Sequence, residues 1–366
     1  MAKLHLIAAG VSVSACLLTP ALSHGQIVQW NGLNVFTNEH VEINVSFDPA
    51  TQTLSTALVE DENQDNNIPS DESLFWIRQN HLAVLPNLSS DYSALGEQGD
   101  PVYLLPSSNP GDRIYHGFSA YGVDFGDVET PFELKLTAFA GPGNMLVWLN
   151  PNNPPLIDST RQAGNYGGIS MGINAHLHRI WGFSEPGIYR LTFAAAGDLF
   201  GTTTPAASVS SDYIYLIDPR PYQWWQVRHF GKEAVEPEAA LDAPTGAPGI
   251  SNLLAYALDL NPAQPASADL PRMVFMQDAG QRYPALQFRF PGGEPERDDR
   301  SDLIYQVEAT HDLTGTWSTL VADEDFTWEP AGLDHDDTPL VRAVLNDSIE
   351  SAPARFLRLR VILLED

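Results

Sequence analysis

Between His40 and Phe47 the chain alternates one residue at a time. Val41, Ile43, Val45 and Phe47 fall on one side, and His40, Glu42, Asn44 and Ser46 on the other. Successive side chains of a strand point to opposite faces, so a period of two predicts a half-buried strand with His40 on its polar side. Phe132, Leu134, Leu136 and Ala138 repeat the pattern, as do Tyr189, Leu191 and Phe193, and the run from Asp212 to Ile217 is rich in strand formers. With 28 Pro and 27 Gly available to punctuate such segments, the expected fold is mainly β. The parts are an N-terminal antiparallel β-sandwich, a short helical linker and a small C-terminal β-domain. The polar, acidic stretch from Glu60 to Glu72 reads as an exposed loop.

The first residues set the expected address. Lys3 precedes an apolar stretch from Leu4 to Leu22, and Ala21-Leu22-Ser23 suits a cleavage site, so residues 1–25 read as a secretory signal. Removing it leaves no transmembrane span in the mature chain. A competing reading takes Val13-Ser14-Ala15-Cys16 as a lipobox, with Cys16 lipidated. Either way the destination is the periplasm, the cell surface or the extracellular space. Cys16 is the one cysteine of the chain, so the exported protein has no internal disulfide and any metal site must use His, carboxylate or carbonyl ligands. The formal charge of −28 and a mere three lysines exclude a basic stripe for nucleic acid.

Three further regions follow the leader: 26–218 as the sandwich, 219–265 as the linker and 266–366 as the C-terminal β-domain. Pro219 and Pro221 end the last sandwich strand. Ile250, Leu253, Leu254, Ala257 and Leu258 share one helical face, which predicts a short amphipathic helix. The segment resembles the D-x-D-G-D-G-x-x-N-L-x-E-Y calcium-loop-plus-helix of secreted bacterial proteins. Here, however, Asp242 to Gly249 reads DAPTGAPG; the carboxylates are gone, so the helix is expected without calcium. Beyond Met273, Pro284 to Phe290, Leu303 to Ala309 and Arg355 to Leu364 read as strands. Tyr305 to Leu313 with Trp317 resembles the Y-x-V-E-x-S-x-D-L-x-x-W motif of small β-domains at the C-termini of exported bacterial proteins.

The chemistry concentrates in Ala175 to Phe193, AHLHRIWGFSEPGIYRLTF. On a strand, His176 and His178 project side by side, a compact pair of ligands for a transition metal. His176, His178, Trp181, Phe183, Pro186, Gly187 and Tyr189 fall in register with H-x-H-x-x-W-x-F-x-x-P-G-x-Y. That is the signature of bacterial surface proteins described as choice-of-anchor M or actinobacterial surface-anchored domains, which this chain resembles over roughly residues 27 to 218. The likeness includes Glu39 to Ile43, Tyr103 to Pro106 and Gly141 to Gly143. It implies an envelope protein, in a family with some members associated with metal-type transport systems.

A structural zinc or copper site needs three or four ligands. The resemblance offers His40 and His116, both in matching segments. A further family H-x-H appears here as Leu58-Val59-Glu60-Asp61, with Glu60 in place of one imidazole. Mixed imidazole and carboxylate suits zinc first, and also manganese or iron. Trp181 is expected to shield the site. The competing reading has these histidines hydrogen-bonded locally as part of the sheet.

Three other features of the chain could carry chemistry. Gly168 to Gly172 matches the G-x-S-x-G nucleophile elbow, with Asp198 and His229 following in triad order, which makes a serine esterase using Ser170 one alternative. The segment lacks the helical periodicity an elbow requires. Acidic clusters at Asp298 to Asp302 and Asp334 to Asp337 lack calcium-loop spacing and read as solvated turns. Trp76, Trp148, Trp181, Trp224 and Trp225 would suit surface glycans if exposed and a two-sheet core if buried. The overall expectation is a non-enzymatic exported protein whose partners are a metal ion and envelope transport components, or else glycans.

Overall fold

The strands that carry the alternating segments assemble into five sheets. The computed structural model describes residues 27–61, 63–87, 90–150, 152–291, 300–351 and 355–364. The leader, Cys16 and Asp298-Asp299 lie outside them. The molecule is mainly β, and its N-terminal half is β-sandwich-like. Among the described residues no helix is long and apolar enough to cross a membrane.

The first and largest sheet runs in the order Val28–Trp30, Leu33–Phe36, Ser73–Ile77, Ser211–Ile217, Gly187–Asp198, Phe132–Ala140, Gly168–Met171, with Pro205–Ala207 also paired to Gly187–Asp198. Two five-stranded sheets complete the sandwich. One is ordered Ile157–Asp158, Met145–Trp148, Ile180–Phe183, Pro101–Leu105, Leu82–Val84; the other His176–His178, Tyr115–Gly122, His40–Asp48, Thr53–Glu60, Asn63–Ile68. Most ladders are antiparallel. Three are parallel: Leu33–Phe36 and Ser211–Ile217 each with Ser73–Ile77, and His40–Asp48 with Tyr115–Gly122.

One core joins all three sheets. Val41, Ile43 and Phe118 meet Leu191, Phe193 and Tyr215 of the large sheet and Val147, Trp181 and Phe183 of the third. Burial of aromatic and branched side chains on this scale is the main driving term for the fold. The polar face of His40–Asp48 is covered as well: Glu42 and Asn44 are buried, so the strand is not half-exposed. The stretch after Glu60 departs from the expected loop. Asn63–Ile68 is an edge strand pairing with Thr53–Glu60, anchored by buried Ile68 opposite Leu58. An edge strand is held by ladder hydrogen bonds and needs little apolar surface, so its polar sequence concealed it.

The linker is more structured than its prolines suggested. Pro221–Phe230 is an α-helix with Pro221 in its first turn, where a missing N–H costs nothing. Trp224 packs with Trp30 and Trp76 on the outer face of the large sheet, while the next residue, Trp225, packs with Tyr256, Leu286 and Phe288. The helix Asn252–Ala257 follows, capped by Ser251, whose hydroxyl accepts from Leu254 N at 3.3 Å. The C-terminal core lies between a sheet ordered Arg272–Asp278, Gln281–Arg289, Pro339–Leu345, Phe326–Leu333 and one ordered Ser318–Thr319, Leu303–Thr310, Phe356–Leu363.

Candidate metal centre

The geometry of the site follows from ladder register. His40 pairs with Tyr115, Glu42 with Gly117 and Asn44 with Ser119 in the parallel ladder; His176 faces Ser119 and His178 faces Gly117 in the antiparallel one. Residues paired across a ladder share a face, so His40, Glu42, His176 and His178 all project to the same side. Val41, His116, Phe118 and Leu177 project to the other, into the core.

Three imidazoles and one carboxylate converge there. The Nε2 atoms of His40 and His178 are 3.0 Å apart, those of His176 and His178 2.8 Å, and those of His176 and His40 3.3 Å. Glu42 Oε1 lies 2.7, 3.2 and 3.8 Å from Nε2 of His40, His176 and His178. A tetrahedron with metal–ligand bonds of about 2.0–2.1 Å has edges of about 3.3 Å, and the six observed separations bracket that value. Among the described residues these four form a group able to hold a metal ion.

Burial makes the same point. Glu42 is fully buried and neither carboxylate oxygen accepts a hydrogen bond, although His40 Nε2 is close. A buried charge without hydrogen bonds is costly, and a cation at the centre of the cluster would satisfy it. Outer contacts aim the imidazoles inward. His40 Nδ1 is 3.2 Å from Asp61 Oδ2, His178 Nδ1 is 3.2 Å from the His116 carbonyl oxygen, and Tyr121 donates its hydroxyl to Asp61 at 2.8 Å. With Nδ1 as donor, each Nε2 keeps its lone pair for a metal. Tyr115 stacks on His178 with centroids 3.6 Å apart and planes 11° off parallel. Burial, reinforced by repulsion from His40 and His176, lowers the His178 pKa to about 4, so its ring is neutral at pH 7 and competent to ligate.

Gly117 makes room for that ring. A Cβ there would lie 2.8 Å from both Cε1 and Nδ1 of His178 and 3.0 Å from the Leu177 carbonyl oxygen. Gly117→Ala is expected to displace His178 and weaken zinc binding by about 10- to 100-fold, the usual cost of disturbing a ligand's orientation. Titration of the variant against a competing chelator measures it; unchanged affinity would show that His178 does not ligate.

The structure gathers His40, His176 and His178, and it sets His116 and Glu60 apart. His116 is one residue out of phase with Tyr115 and Gly117. Its ring is buried in the core, with Nδ1 2.8 Å from the Val41 carbonyl oxygen and Nε2 2.9 Å from the Tyr215 hydroxyl. Glu60 pairs with Val41 and so lies on the core-side phase of its strand, away from Glu42. Trp181 does not cover the cluster: it is buried against His116 and Phe118 in the core, and Tyr115 lies against the ligands instead. Glu42 and Asp61 are the carboxylates that sequence reasoning passed over. Glu42 had a visible signal, since it shares the polar phase of His40.

The remaining candidates resolve structurally. Gly168–Met171 is an edge strand of the large sheet and no helix follows it, so Ser170 is not on a strand–turn–helix elbow. Trp76, Trp148, Trp181, Trp224 and Trp225 are all buried, so these five form no exposed glycan platform. Asp334 and Asp336, with Asp269, surround the buried Arg289 guanidinium; the cluster balances a charge and is not merely a solvated turn. His335 adjoins Asp269 and Asp334, and these three form a second group of potential ligands. Asp302 accepts from the Tyr256 hydroxyl at 2.7 Å.

No protein-family model and no curated protein matches the chain. Among solved structures, a chain from work on a chaperone-tip adhesin complex in CFA/I fimbriae biogenesis aligns at 9% identity. The alignment covers 79% of this chain and 90% of that one, with a TM-score of 0.16. So remote a likeness carries no argument about fold or function.

Proposed function

We propose that this is an exported, non-enzymatic envelope or surface protein of the choice-of-anchor M type, which captures a divalent transition metal and hands it on outside the cytoplasmic membrane. The observation that carries the reading is the convergence of three Nε2 atoms on the buried carboxylate of Glu42, which accepts no hydrogen bond, at tetrahedral spacing. Zinc is the first choice of ion because it takes four-coordinate imidazole and carboxylate sets. Calcium and magnesium prefer six or more oxygens. The formal charge of −28 would concentrate cations around the protein. The leader sequence and the likeness over residues 27 to 218 support the location, and transport components of the envelope are the proposed recipients.

Elemental analysis of the mature protein from its native host tests this reading. One zinc, copper, manganese or iron per chain is expected, falling to background in His176→Ala/His178→Ala. Metal-free protein that also binds no added ion would leave the histidine cluster as architecture and end the proposal.

A further inference from the structure

The four ligands are not held equally, and the differences run in one direction. Side-chain exposure rises from 0% at Glu42 to 10% at His178, 18% at His40 and 33% at His176. The restraints fall in the same order. His178 is clamped between the Tyr115 ring and the His116 carbonyl, with Gly117 leaving no slack beneath it. His40 has Asp61 Oδ2 at 3.2 Å and the Tyr115 ring at 4.5 Å. His176 Nδ1 is 3.7 Å from the nearest Asp61 oxygen, beyond hydrogen-bond reach, and its ring meets Tyr121 edge-on at 5.7 Å. It also lies at the outer end of His176–His178, a three-residue strand at the edge of its sheet, hydrogen-bonded on one side by Tyr115–Gly122.

We propose that His176 is the exchange ligand of this centre: the ion enters and leaves past it, while Glu42, His40 and His178 form a fixed three-ligand floor. The inference rests on the metal-binding reading above and adds a route to it. Release is a ligand substitution. A lone pair from an incoming nitrogen, sulfur or oxygen donor bonds to the ion as the His176 Nε2 lone pair departs, and the metal keeps its charge throughout. Three protein ligands suffice to retain zinc with a fourth position open, as catalytic zinc sites do. The acceptor is therefore a chelating donor group that approaches the His176 face.

Zinc-loaded full-length protein mixed with a chromogenic zinc chelator gives the test. In the unmodified chain the extraction rate should rise with chelator concentration, because the chelator joins the ion before the protein lets go. His176→Ala should still bind one zinc, with affinity reduced about 10- to 100-fold and extraction accelerated to match. His178→Ala and Glu42→Gln should lose stoichiometric binding; Glu42→Gln is near-isosteric and stands in if His178→Ala fails to fold. An extraction rate independent of chelator, or a His176→Ala variant as defective as the floor variants, would overturn the exchange role and leave metal binding intact. Failure of the unmodified chain to bind zinc, copper, manganese or iron would overturn both.

Discussion

Zinc added to metal-free protein should raise its thermal midpoint by about 10 °C, and Glu42→Gln should abolish that rise while leaving the metal-free protein as stable as before or more so. A ligand that binds only the folded state at a thousandfold excess over Kd contributes about 4 kcal/mol. For a unit of this size each kcal/mol is worth about 2–4 °C. The opposite effect in the metal-free state comes from Glu42 itself, whose two buried oxygens accept no hydrogen bond. An unsatisfied buried polar group costs about 1–3 kcal/mol, more when charged, and the neutral amide removes the charge without changing the volume. A residue kept for stability alone would show the reverse, a loss on substitution and no link to zinc. Scanning calorimetry of both proteins, with chelator and with excess zinc, separates the cases; a Glu42→Gln protein that still gains about 10 °C would remove Glu42 from the ligand set.

The parts of this centre that sequence displays are those fixed by a period of two. Alternation places His40 and Glu42 on one face and pairs His176 with His178, all within single strands. What sequence hides is the partner register. Nothing in the residues of His40–Asp48 specifies a parallel ladder with Tyr115–Gly122, yet that ladder sets Gly117 beside Glu42 and turns His116 inward, while the antiparallel ladder with His176–His178 puts Gly117 under the His178 ring. A shift of one residue would have reversed the roles of His116 and Gly117. Glu60 and Asp61 were separated by the same parity: the carboxylate that reaches His40 is the turn residue after the strand, where alternation no longer applies. The helix Pro221–Phe230 was missed for a different reason. Pro219 and Pro221 look like strand and helix breakers, although a proline at the first helical position is a start signal, and the two tryptophans of the helix face separate cores and blur any apolar stripe.

Metal-free protein should lose about 4 kcal/mol of stability between pH 7.5 and pH 5 through His81 and His116 alone. Burial is the largest cause in both: it holds the His81 pKa down to about 4 and that of His116 to about 3, against about 6.5 when unfolded. A depressed folded pKa means that the unfolded chain takes up protons first as pH falls. The contribution is therefore intact above pH 6.5 and is lost progressively toward the folded values, about 2 kcal/mol per group by pH 5. His178, lowered to about 4, adds to the loss. In the zinc-loaded protein the acid dependence should be steeper still, because protons compete with the ion for the imidazoles. The hydrogen bonds fix the cost at His116: its Nδ1 donates to the Val41 carbonyl and its Nε2 accepts from the Tyr215 hydroxyl, so protonation sets two donors against each other inside the core. Urea unfolding at pH 7.5 and pH 5.0 in the presence of chelator measures the difference. His81→Leu should reduce the loss by about 2 kcal/mol, the share of its one protonation; stability that stays level across the interval would mean that neither ring is held neutral by the fold.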